Sequence, residues 1–506
     1  MIVALTGASG NMGKETVKSL LEVEAITTLR LLLLKSDKKS VKYGKKVKKQ
    51  YGDRVEILLG DVRSAADCDA LVKDADYVYH LAAVIPPLAD HEREMAVTTN
   101  YDGTVNLVEA VIKAGNRARF VHISTVALYG NRDEKHPWGR VGDPLITSAF
   151  DLYGTSKLRA ERYLLDSDLA HWVVLRQTGI LYDNMLMANI SDGLMFHTPW
   201  NVPIEWVTAR DSGVLMKNIL LKTEEDGQED FWQGVYNIGG GAPCRQTGYE
   251  TFDDGFKLIG GSVKSFFKPH WNAARNFHCF WFSDSDELER RFHFRSEGCE
   301  AFWKWFLSRH KIYAAGKILP PALLRALVIK PLLKNDNAPA YWGKHGDTAR
   351  VFAIYGDKII PEKWEEFELL CESDRYDDLK KHSPAFDLPH GYDEGKPLAE
   401  LTEEEIKGAA AFRGGELIGS YRKGSVYEKT EWKCAEGHVF RSSPFTVLKA
   451  GHWCPICSEP NNEWRFDLLA KSNKHIAAVW YDTHGENENR IYRVTEEDLA
   501  EAEEIK

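Results

Sequence analysis

Tyr153 and Lys157 stand four residues apart, so on a helix a phenol and an ammonium share one face. Lys157 can hold a ribose and favour the Tyr153 phenolate, and Tyr153 can then exchange a proton with a substrate hydroxyl or carbonyl. Thr125, just past an apolar run at residues 120–124, can orient the same oxygen. Such a pair occurs by chance in many helices. Its weight here comes from the N-terminus, where the apolar run 1–6 enters Gly7-Ala8-Ser9-Gly10-Asn11-Met12-Gly13 and a helical pattern follows at 14–21. Glycines at those positions allow a sharp turn, close approach to a pyrophosphate and tight packing of helix on sheet, with the helix N-terminus facing the phosphates. A loop of this kind also serves as a plain structural turn.

A second constellation lies near the C-terminus. Cys454 and Cys457 form a CxxC knuckle, and Cys434 and His438 can supply the remaining ligands of a tetrahedral zinc ion. Gly437 and Gly451 permit turns beside them. A redox CxxC is the rival reading, and it leaves Cys434 and His438 unexplained. His452 is too close to Cys454 for comfortable ligand geometry. Four protein ligands leave no open position, so the zinc is expected to be structural.

The elements that must place Tyr153 and Lys157 alternate between strand and helix. Strands are predicted at 29–34, 55–59, 77–81, 120–124 and 173–176, and helices at 100–114 and 153–165. This is a doubly wound parallel sheet with a ligand crevice at the strand C-terminal ends. Ala82 and Ala83 are small enough for close approach by a cofactor or simply by a helix. Asp61 can meet an adenine amino group or act as a local cap. After the second strand stand Lys35, Asp37 and Lys38. A free ribose hydroxyl usually meets a carboxylate there, whereas lysines can hold a 2'-phosphate. Lys35 and Lys38 make NADP the preferred cofactor, and Asp37 leaves NAD open.

Together these segments resemble the extended short-chain dehydrogenase/reductase family, often labelled NAD-dependent epimerase/dehydratase, over about residues 1–265. The resemblance rests on Gly7, Gly10 and Gly13; Asp61-Val62; His80-Leu81-Ala82-Ala83; Asn100 with Gly103-Thr104-Val105-Asn106-Leu107; Ser124-Thr125 ahead of Tyr129-Gly130; Tyr153 with Lys157; and Arg176 with Gly179. It implies a Rossmann-like fold with a substrate-binding subdomain, and Thr125, Tyr153 and Lys157 as a catalytic triad. Asn100 would support the site. The implied cofactor contacts are Gly7, Ser9, Gly10, Asn11, Met12, Gly13, Asp61, Val62, Leu81, Ala82, Ala83, Asn100, Tyr153 and Lys157, joined by Lys35 and Lys38. Asp211 and Asn237-Ile238-Gly239-Gly240 resemble later parts of the fold, where the chain completes the sheet. Two departures narrow the chemistry. Val126-Ala127 replace the acid pair that family dehydratases carry after the threonine. Gln177-Thr178 follow Arg176 where many nucleotide-sugar enzymes of the family have an Asn.

The remaining expectations come from composition. With 506 residues, two or three domains are expected: a core at 1–265, a helical cap or interface extension at 266–373, a linker at 374–427 and a zinc module with an acidic tail at 428–506. Aromatics such as Phe196, Trp200, Trp206, Phe266, Phe267, Phe277 and Trp281 can line a large apolar pocket or pack as core. A net charge of −10 speaks against a general nucleic-acid role, and eight cysteines do not suggest a disulfide framework. Residues 318–333 carry Pro320, Pro321, Arg325 and Lys330, so no conventional transmembrane span is expected. A cytoplasmic location and a small-molecule substrate follow as expectations, with homo-oligomerisation left open. The expected activity interconverts an alcohol and a ketone on a bulky, largely apolar molecule, with Tyr153 as proton donor and acceptor. The alternatives are an epimerase that removes and returns hydride, and a cofactor-sensing protein whose zinc module binds a partner.

Overall fold

A computed structural model describes residues 1–185, 192–226, 228–460 and 462–494. The sequence also predicts a helix over residues 496–504, which lies outside the described residues.

The apolar runs become β1 (Ile2–Thr6), β2 (Thr28–Leu33), β3 (Val55–Leu59), β4 (Tyr77–His80), β5 (Arg119–Thr125), β6 (Trp172–Gln177) and β7 (Gly234–Ile238). They form one seven-stranded sheet in the order β7-β6-β5-β4-β1-β2-β3, and every pairing is parallel. The order reverses between β1 and β4, which opens the crevice of a doubly wound Rossmann-like fold. Crossovers run through α1 (Asn11–Leu20), α2 (Lys38–Tyr51), α3 (Ala65–Val72), α4 (Gly103–Lys113), α5 (Leu152–Leu165) and α6 (Ala209–Asp226). The central strands are buried on both faces, so they read as near-continuous aliphatic runs rather than alternating ones. One face packs Val3, Leu5, Leu29 and Leu31 with α1 and α6, and the other packs Ala4, Val78, Phe120 and Val174 with α3 and α4.

The helix expected from residue 100 enters through a π-turn at Thr98–Asp102 before α4 begins. Residues 362–372 are not an α-helix but two single 3-10 turns, Trp364–Glu366 and Leu370–Glu372. The Trp364 indole explains the break: it packs on Trp200 and Tyr249 and donates to the Phe267 carbonyl at 3.0 Å, which draws the chain inward at one point.

Near the C-terminus β8 (Gly415–Leu417), β9 (Thr430–Cys434) and β10 (Val439–Ser442) form an antiparallel sheet, following a helix at Glu403–Phe412. Its core is shared. Trp432, Phe440, Trp453 and Trp464 cluster with Ile146, Ala149 and Leu152 from the start of α5 and the loop before it.

Candidate active site and Cys/His cluster

The glycine loop closes against β4 as its spacing requires. Gly7 has φ +73°, and a Cβ there would meet Leu81 and Ala82 backbone at 2.6 Å; a Cβ on Gly13 would stand 2.0 Å from the Gly7 carbonyl oxygen. Both positions therefore demand glycine. Gly7, Gly10, Asn11, Met12 and Gly13 line a cavity of 1080 Å³ that also takes in Leu81, Ala83, Thr125, Tyr153 and Lys157. The sheet thus brings the two halves of the sequence signal to one crevice.

Tyr153, Lys157 and Glu161 succeed one another at one-turn intervals along α5. Lys157 Nζ donates to the Ile123 carbonyl at 2.7 Å and lies 3.4 Å from His122 Nε2. Burial pushes its pKa down to about 7, and the Glu161 charge pulls the other way. Burial pushes the Tyr153 phenol up to about 12, opposed by a hydrogen bond with Thr125. Thr125 also accepts from Ala127 N at 3.2 Å. Asn100, fully buried, staples α5 to the loop after β4: its amide donates to Ser156 Oγ at 3.0 Å and its oxygen accepts from Val84 N at 2.8 Å.

The cavity also holds titratable groups that sequence reasoning missed. Asp151 caps α5, its Oδ1 accepting from Gly154 N at 2.7 Å, while Oδ2 is buried without a hydrogen-bond partner and lies 3.7 Å from His278 Nδ1. Burial raises Asp151 to about 6 and lowers His278 to about 4. The backbone beside Asp151 is strained, since Phe150 has φ +67°; Asn276, at φ +66°, is of a type that enters this region readily. A bulky residue in that region is a true outlier and often marks a functional site. The two segments grip each other, Asn276 accepting from Ala149 N at 2.7 Å and donating to Ala149 O at 3.1 Å. An acidic residue two places before Tyr153 was the one available signal, and it reads equally as a helix cap. Asp90 joins the same cavity, and burial lifts it to about 7.

The aromatic segment divides. Of the residues expected as pocket lining or core, Trp206 and Phe277 line the cavity, whereas Phe196, Trp200, Phe266, Phe267 and Trp281 are buried core. Tyr182, Phe252, Phe256 and Trp303 complete the apolar wall.

Cys434, His438, Cys454 and Cys457 come together with all ligand atoms within 4.8 Å of one another. Sγ–Sγ and Sγ–Nδ1 separations of 3.8 Å (Cys434–Cys457), 3.5 Å (Cys434–His438), 3.2 Å (His438–Cys457) and 3.8 Å (His438–Cys454) bound the cluster. A tetrahedron with metal–sulfur bonds of about 2.3 Å and metal–nitrogen bonds of about 2.0 Å has edges of about 3.5–3.8 Å, so the donor set fits a metal of that geometry. His452 turns away from the cluster. Its Nε2 lies 3.0 Å from Oε1 of fully buried Glu161, which also accepts from Ser124 Oγ at 2.5 Å and Arg176 at 2.5 Å. Burial would raise Glu161, but Arg176 and His452 outweigh it and hold the carboxyl down to about 2. Arg176 further donates to the Ala450 carbonyl at 2.7 Å, and Arg162 to that of Trp453. The loop leading into the knuckle is thereby tied to the helix that carries Tyr153 and Lys157.

Other predicted residues lie apart from the cavity lining. Ser9 and Ala82 sit beside it in sequence, and Ala82 N donates to Thr6 Oγ1 at 3.1 Å. Val62 packs beneath Gly103. Burial raises Asp61, but Arg63, bonded at 2.6 Å, wins and holds it below its ordinary value. Lys35 and Lys38 are exposed, and Asp37 is spent as the α2 cap, accepting from Lys39 N and Ser40 N at 2.9 and 3.2 Å.

Residues 3–178 match the NAD dependent epimerase/dehydratase family. D-erythronate dehydrogenase of Haemophilus influenzae is 26% identical over 171 residues, which is 33% of this chain and 50% of that protein. A 3 beta-hydroxysteroid dehydrogenase/Delta 5-->4-isomerase of Mycobacterium tuberculosis is 34% identical over 124 residues, 22% of this chain and 31% of that one. The chain thus spans half or less of the curated relatives it matches. The dTDP-glucose 4,6-dehydratase of Bacillus anthracis, solved in complex with NAD, matches with a TM-score of 0.48 at 17% identity, covering 63% of this chain and 99% of that one. The expectation of NADP over NAD is corrected here. The similar structures solved with a nicotinamide cofactor hold NAD, and the lysines behind that expectation stand outside the cavity. The N-terminal domain of this chain is NAD-dependent epimerase/dehydratase-like, on a Rossmann-like fold that continues through β7 and is joined to a C-terminal Cys/His cluster.

Proposed function

We propose that the protein is an NAD-dependent oxidoreductase acting on a secondary alcohol or its ketone. The observation that carries this reading is the convergence of the glycine loop, Thr125, Tyr153 and Lys157 on one cavity. Gly7 to Gly13 would hold the pyrophosphate and Lys157 the nicotinamide ribose. The bound dinucleotide supplies a hydride acceptor or donor. Tyr153 takes the proton from the substrate hydroxyl during oxidation and returns it to the carbonyl oxygen during reduction, with Thr125 orienting that oxygen. When protonated, Lys157 would favour the phenolate that burial otherwise disfavours. Val126 and Ala127 are buried and carry no acid or base, which speaks against elimination of water by the family's usual pair. The substrate is bulky and amphipathic: Tyr182, Phe252, Phe256 and Trp303 offer an apolar wall, and Asp151 with His278 a polar end.

Epimerisation is the second reading, favoured by the Asp151–His278 pair. Once the carbinol is oxidised, a base in the same cavity can remove an acidified proton beside the carbonyl, a proton returned to the opposite face of that carbon inverts it, and hydride return then leaves the cofactor unchanged. Incubation with NAD and, separately, a 3β-hydroxysteroid, D-erythronate and UDP-glucose tests both readings. Net growth of reduced-nicotinamide absorbance with the steroid is expected. An epimerised product without net reduction would replace the first reading by the second, and neither change with any of the three would remove the proposed substrate class.

The Cys434, His438, Cys454 and Cys457 side chains would hold one structural metal ion. A three-sulfur, one-nitrogen set suits zinc.

A further inference from the structure

We propose that residues 311–334 form a docking surface for an anionic lipid membrane. The segment folds as two helical pieces, Lys311–Ile318 and Pro321–Leu332, bent by 112° at Leu319-Pro320. Among the described residues no single helix is long and apolar enough to cross a membrane, so this segment does not supply a straight span. It has instead the features of an element lying on a surface.

The second piece carries apolar residues on two sides. Leu324, Val328 and Ile329 pack inward against Phe256 and Phe266, as does Leu332. Leu323 and Leu327 point out, 42% and 66% exposed, and Ile312 and Ile318 of the first piece are 80% and 84% exposed. A helix on a water-facing protein surface normally pairs one apolar stripe with a polar face. Here the face left over after the core is satisfied is again aliphatic. An apolar patch of this kind marks an interaction site.

Charge names the partner. Lys311, Lys317, Arg325, Lys330 and Lys334 punctuate the segment, and no Asp or Glu occurs between 311 and 334, in a chain whose net charge is −10. Aliphatic side chains interleaved with cations and free of acids match the boundary of an anionic bilayer: the apolar groups enter the acyl region, and the long cationic chains reach back to the headgroups. The same helix rests on the cavity wall from outside, since Phe256 and Met195 belong both to its packing cluster and to the cavity lining. A lipid surface held there lies close to the chamber that contains Tyr153.

The test is co-sedimentation of the full-length protein with vesicles of phosphatidylcholine alone and of phosphatidylcholine with phosphatidylglycerol. Binding to the anionic vesicles is expected to exceed binding to the neutral ones by about tenfold or more and to weaken with added salt. The paired change Ile318→Ser and Leu327→Ser should cut anionic binding about tenfold or more, and Lys317→Glu with Lys330→Glu should abolish the preference for negative charge. NADH binding, read by fluorescence, should be unchanged in both variants, which shows that the fold is intact. Equal sedimentation with both vesicle types, or none with either, overturns the proposal. So does concentration-dependent self-association without lipid that the Ile318/Leu327 pair abolishes, because the patch would then be covered by a second copy of the chain.

Discussion

The seven-stranded sheet and the Cys/His module share a helix, yet they are stabilised in opposite ways. The sheet carries most of its own core: Val3, Leu5, Leu29, Leu31, Tyr79, Val121, Val173 and Leu175 are wholly buried between layers built mainly from residues 1–240, which Leu288, Phe292 and Phe294 complete on one face and Phe445 and Ala450 on the other. The module has three short strands and takes part of its core from the start of α5 and the loop before it, through Ile146, Ala149 and Leu152. Its interior is completed by four potential ligands and by polar ties to α5. A region of the first kind folds from the periodicity of its own sequence. One of the second kind leans on a neighbour, and on an ion where its ligands hold one.

The sharpest way to break that contrast is to remove a ligand. Cys454→Ser is expected to release the metal, about one ion per chain by elemental analysis, and to unfold the module well below the melting temperature of the sheet, since metal binding contributes about 10 kcal/mol or more in small sites. Two separate calorimetric transitions would bear out the contrast. A single transition shifted as a whole would show that the two regions fold as one unit. Tyr153→Phe addresses the sheet side. Turnover should fall about 100- to 10,000-fold while NAD affinity and melting temperature stay close to wild type, because the phenol acts on substrate rather than on packing. A smaller, pH-dependent effect belongs to the joint between the regions. Glu161 is held at about 2 against an ordinary 4.5, so its contribution to stability is complete above about pH 4.5 and is lost as the pH falls toward 2. Glu161→Gln should flatten that acid limb in a melting-temperature series, and an unchanged limb would mean that other carboxylates set it.

Much of the first region was legible in the sequence because its signals are local. The strand from Ile2, the glycine loop and α1 adjoin one another, and the predicted sheet strands fall within a residue or two of the observed ones. Tyr153 and Lys157 share a face because one helical turn separates them. The Cys/His quartet was also readable, since ligand type and CxxC spacing are themselves the signal. Long-range partnerships were not. Asp151 is a helix cap, and nothing near it in the sequence announces that His278 arrives 3.7 Å away from a distant loop. His452 was weighed only as a ligand, whereas its partner Glu161 lies 291 residues earlier. The aromatic segment misled in part because burial in a core and exposure to a cavity demand the same residue types. The lysines after β2 suggested a phosphate only through charge, and charge does not fix where a flexible, exposed side chain points.

The Glu161–His452 contact bears on how this protein can be cut. In many proteins a nucleotide-binding domain behaves as a cassette that can be moved between hosts. Here a fragment ending before the Cys/His module would uncover the Glu161 carboxylate, one turn from Lys157, and the Arg176 guanidinium, both fully buried when the module is present. Water would replace His452 and the Ala450 carbonyl as their partners. The excised piece would keep the glycine loop, Thr125, Tyr153 and Lys157 and lose the surroundings in which Glu161 titrates.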